Sequence, residues 1–96
     1  NYVEHAAPVL RQVAGILESL AGAAALAGKN PRAGKILLQG CDNVQSLLDA
    51  CAPLASLGDF WRELRNDSDD IGKFAAQLGV LSKNLTNFAV ELVGKE

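Results

Sequence analysis

Apolar positions along the chain fall into three long runs and one short one, each with the spacing of a single helix face. From about Pro8 to Ala27, the residues Val9, Val13, Ile16, Leu20, Ala23 and Ala27 recur at alternating steps of 4 and 3. Leu10, Leu17 and Ala24 widen that stripe. Pro8 suits the first turn of a helix, where its missing N–H costs nothing, and Gly28 suits a left-handed cap. Asn30-Pro31 then reads as a second start, with Asn30 as N-cap and Pro31 at the first helical position. So short a connection predicts an antiparallel helical hairpin. The second seam is Leu37, Cys41, Val44, Leu48, Cys51 and Ala55, widened by Leu47 and Leu54. Pro53 falls inside it and predicts a kink or a split, with Gly58 as the stop.

Asp59 is expected to cap a short helix from Phe60 to about Arg65, followed by a charged turn ending in Asp69 and Asp70. The last run is the most regular. Ile71, Phe74, Leu78, Leu81, Leu85, Phe88 and Leu92 hold a heptad pattern over a helix from about Asp70 to Val93. Beside it Ala75, Ser82 and Ala89 are small and admit a close neighbour. The expected fold is therefore all-α: an antiparallel helical bundle of three long helices plus one short helix, four-helix-bundle-like. Residues 1–96 are read as a single domain, either a mature product or one excised from a longer protein.

Composition supports this reading. Apolar residues make up 49% of the chain and aromatic ones only 5%, so the core must be built from Leu, Val, Ile and Ala. A net charge of -2 gives no general attraction to nucleic acid. No stretch reaches the roughly 20 uninterrupted apolar residues of a membrane span, so no transmembrane segment is expected. Asn66-Asp67-Ser68 and Asn84-Leu85-Thr86 match the N-glycosylation pattern. They are weak pointers to secretion and leave the compartment, secreted or cytoplasmic, undecided.

Catalytic chemistry finds little material. Cys41 and Cys51, if on one continuous helix, would stand about 15 Å apart, too far to pair. They read as buried thiols, with Cys41 the candidate for an intermolecular disulfide. His5 is the one histidine and there is no CxxC motif, so neither a metal set nor a thiol–imidazole pair is supported. The segment Gly28 to Ile36 imitates a phosphate loop. It has one residue too many between its glycines, Ile36 where Ser or Thr is required, and no preceding strand. What survives there is a candidate anion contact made by Lys29, Arg32 and Lys35 at a helix N-terminus. The carboxylates of Glu63, Asp67, Asp69 and Asp70 cluster in a charged turn with no apolar pocket to separate their pKa values.

Asn30-Pro31, Gly40-Cys41-Asp42, Val44-Gln45 and Leu47-Leu48 resemble the C-terminal assembly domains of spider silk proteins. Those are small helical dimers with a cysteine at a helix start. The resemblance covers under a quarter of the chain, and Cys51, Pro53 and the charged stretch from Arg62 to Asp70 depart from it. No function is carried over.

The expectation is thus a non-enzymatic protein–protein interaction or self-assembly domain acting through helix faces, without cofactor. The partner is another protein or a second copy. Candidate contacts are Phe60 and Trp61, adjacent aromatics that cannot both face a core easily, and Val80, Val90 and Val93, which lie off the last seam. The alternative is a small secreted carrier holding an apolar or lipid-like ligand inside the bundle.

Overall fold

The computed structural model describes residues 2–67 and 69–94. Over them the chain is all-α, and no strand occurs among the described residues. Its elements are α1 (Tyr2–Leu26), α2 (Pro31–Asp49), a 3-10 turn (Ala52–Leu54), α3 (Ala55–Asp67) and α4 (Ile71–Gly94). They form a body of 45 × 20 × 20 Å.

Helix α1 is central, packing along its length against α4 and against α2. It begins well before Pro8, which sits exposed inside the helix. Ala6 and Ala7, both buried, secure the turn that precedes the proline. Val3–Leu26 is long and apolar enough to cross a membrane by length and composition, its most apolar 18 residues having a mean hydropathy of 1.3, which corrects the expectation of no such segment. In the fold that apolar stripe is the core: Leu10, Val13, Leu17 and Leu20 are all buried. The buried face is rotated from the expected seam, leaving Val9, Ile16, Ala23 and Ala27 half-buried. The rotation follows from α1 serving two neighbours rather than one.

The turn after α1 contains no left-handed glycine, so Gly28 is not the expected cap. Asn30 does cap α2, its Oδ1 accepting the Arg32 amide at 3.0 Å, with Pro31 in the first turn. Helix α2 runs back along α1, bringing Gly40 onto Leu20 and the Cys51 thiol to the His5 carbonyl. His5 itself lies within α1, not ahead of it. Pro53 splits the second apolar run instead of kinking it. The helix stops at Asp49, and the proline sits in the 3-10 turn, where its missing N–H is tolerated. Cys51 therefore lies beyond α2, and both cysteines are free and buried.

Gly58 and Asp59 neither end nor cap a helix. Both lie inside α3, whose 13 residues exceed the expected short segment. Helix α4 matches its expected span, yet its buried face is Phe74, Leu78, Ser82, Leu85 and Ala89. Ile71 and Phe88, from the expected seam, are exposed. The small residues decide the orientation, because α1 comes close enough for Ser82 Oγ to donate to the Ala14 carbonyl at 2.7 Å.

Candidate functional site

Helix α3 is held to α2. Gly58 permits the approach: a Cβ there would lie 2.8 Å from Asp49 Oδ1 and 3.6 Å from Leu48 Cβ. Gln45 Nε2 donates across the contact to the Gly58 carbonyl at 3.0 Å. Arg62 pairs with Asp49 at 3.1 Å and with Asp59 at 3.2 Å, and Arg65 pairs with Asp42 at 2.8 Å. These pairs are partly solvated and contribute little stability, but they set which side of α3 faces α2. Trp61 completes the attachment. It is only 1% exposed, its indole N–H donates to the Cys41 carbonyl at 3.1 Å, and its ring meets Phe74 at 6.3 Å.

On its other side α3 scarcely approaches α4, backbone to backbone. Past the Trp61–Phe74 contact the two helices leave a groove of about 320 Å³, lined by Phe60, Leu64, Ala76, Gln77, Val80, Leu81 and Asn84. Phe60 is 48% and Val80 61% exposed, so two large apolar side chains face water across it. Gln77 and Asn84 are its polar members.

Of the expected partner contacts, the structure brings Phe60 and Val80 together. Trp61 is a core residue rather than a surface anchor, which resolves how two adjacent aromatics are accommodated. Val90 and Val93 are exposed on α4 but do not line the groove. Leu64 and Gln77 carry no expectation from the sequence, while Leu81 is expected in the α4 seam and Asn84 in a glycosylation triplet. Leu57, Phe60 and Leu64 carry the signal at steps of 3 and 4, hidden by taking Gly58 as a stop. Both sequon asparagines are exposed: Asn66 in the last turn of α3, and Asn84 on α4, within the groove lining. Ser68, the third residue of the first sequon, lies outside the described residues.

Lys29, Arg32 and Lys35 are all exposed around the start of α2. Cys41 is 3% exposed, beneath an opening between α2 and the α3–α4 turn that Leu37, Leu38 and Phe74 also line. Burial pushes its thiol above the ordinary value of 9.0, with the nearby Arg65 guanidinium opposing and Asp42 adding to the rise. An intermolecular disulfide through Cys41 would therefore need a thiolate at a covered position, where the neutral thiol is favoured.

The same burial predicts a pH effect. The unfolded chain ionises its thiol at the ordinary value, while the folded chain holds it neutral. The contribution is whole below that value and is lost as pH rises past it toward the folded pKa. Urea midpoints measured on either side of 9.0 should fall more steeply for the native chain than for Cys41→Ala. Equal slopes would contradict it.

The chain matches no protein-family model, no curated protein and no solved structure. The resemblance to silk assembly domains thus rests on the α2 residues alone.

Proposed function

We propose that the chain is an antiparallel four-helix bundle with one seam left open, and that this open α3/α4 seam receives a helix of a partner protein. The domain is non-catalytic and acts by binding. The observation that carries this is that the exposed Phe60 of α3 and the exposed Val80 of α4 line one apolar groove. Two helical walls with large apolar side chains and few polar groups suit an amphipathic helix laid between them.

The test is fluorescence anisotropy of a labelled, uncharged amphipathic helical peptide against the full chain and the double variant Phe60→Ala/Val80→Gln. Both positions are exposed, so the variant should keep its far-UV circular dichroism and melting temperature. Saturable binding weakened at least tenfold in the variant, about 1.4 kcal/mol, is expected. A folded chain that takes up an acyl dye and ignores the peptide would overturn the proposal in favour of a carrier.

A further inference from the structure

The groove does not end at Leu64 and Gln77. Both residues also line a second depression, completed by Asp67, Asp69, Asp70 and Lys73 at the α3–α4 turn. An apolar trough thus opens at one end into a mouth holding three carboxylates and one ammonium. Arg62 and Arg65 of α3 are engaged with Asp49 and Asp42 of α2, and Arg62 also with Asp59 one turn back on α3. Asp67 and Asp69 make no ion pair among the described residues. Asp70 is occupied differently, its Oδ1 accepting the Lys73 amide at 3.1 Å at the start of α4. No basic side chain lines the trough itself.

We infer that the occupant of this groove is a basic amphipathic helix of another protein, its apolar face on Phe60, Val80 and Leu81 and its lysines or arginines at the end that meets Asp67 and Asp69. The inference rests on the helix-receiving reading above and adds the partner's charge and orientation. Charge complementarity argues for it: a cationic end finds carboxylates free to pair, while an acidic end meets like charge. The apolar floor supplies most of the binding, and the mouth selects among partners and speeds encounter.

Three labelled peptides with one shared apolar face and a terminal cluster of Lys, Gln or Glu distinguish the outcomes. Against the full chain, the Lys peptide should bind at least tenfold tighter than the Glu peptide at low salt. The gap should shrink as salt screens the mouth, since the Debye length falls to roughly 3 Å at molar ionic strength. Asp67→Asn/Asp69→Asn should abolish the preference while leaving affinity for the Gln peptide unchanged. Asp70 is spared because it caps α4. Equal binding of the Lys and Glu peptides, or a preference for Glu, overturns the inference while leaving the helix-receiving groove standing. Failure of all three peptides to bind removes both. A dimer detected by light scattering that Phe60→Ala/Val80→Gln dissolves would place a second copy in the groove and overturn the basic partner.

Discussion

Trp61→Ala is expected to cost about 3–5 kcal/mol, the range for emptying a buried aromatic site. A domain of this size holds roughly 5–14 kcal/mol in all, so much of the stability goes with one side chain. Three contributions leave together: the volume at the α2–α3–α4 junction, the indole hydrogen bond to the Cys41 carbonyl, and the ring contact with Phe74. At roughly 4–8 °C per kcal/mol for domains this small, the melting temperature should drop by well over 10 °C. Trp61→Phe keeps most of the apolar volume and loses the hydrogen bond, so about 1–3 kcal/mol is expected. Urea unfolding followed by circular dichroism suits both, because the fluorophore is removed. A loss under 1 kcal/mol for Trp61→Ala would mean that α3 is not secured through this ring.

The second large effect contrasts one substitution at two positions of α2. Gly40 is buried where α2 crosses α1; a methyl there would collide with Leu20 Cδ2 and lie 3.0 Å from Leu20 Cγ. Leu20 is itself only 3% exposed and has little room to yield. Overpacking of this kind costs about 1–3 kcal/mol, opposed by a gain of about 1 kcal/mol in helix propensity. Gly40→Ala should therefore be destabilising or, at the mild end, neutral. Gly34, six residues earlier, has nothing within 4 Å of its would-be Cβ. There only the propensity term operates, and Gly34→Ala should stabilise by up to about 1 kcal/mol. Denaturant midpoints that move in the same direction by the same amount would contradict the close α1–α2 approach.

Helix periodicity made the all-α class and the span of α4 legible, and the Asn30-Pro31 start held to the residue. What was not legible shares a physical cause: residues with two meanings. In the sequence Pro8 reads as a first-turn proline, yet the helix runs through it, with Ala6 and Ala7 both buried. Gly58 reads as a stop in the sequence, yet it is the glycine that lets α3 reach Asp49 and Leu48. The heptad leucines and phenylalanines of α4 suggested a seam through Ile71 and Phe88, while Ser82 and Ala89 turned the helix to bring α1 nearer. The groove was half visible. Val80 stood out as apolar and off the seam, and Phe60 as one of two aromatics. That both line one groove depends on α3 being held mainly to α2 and meeting α4 through the Trp61–Phe74 contact, which no periodicity contains.

The most direct test of the central claim is a nuclear magnetic resonance titration of the isotopically labelled full chain with the Lys-ended amphipathic peptide. Binding in the α3/α4 groove predicts amide shifts concentrated at Phe60, Leu64, Gln77, Val80, Leu81 and Asn84, extending to Asp67 and Asp69, with α1 and the outer face of α2 undisturbed. Shifts centred instead on α1 or on the exposed face of α2, or no shifts at saturating peptide, would contradict it.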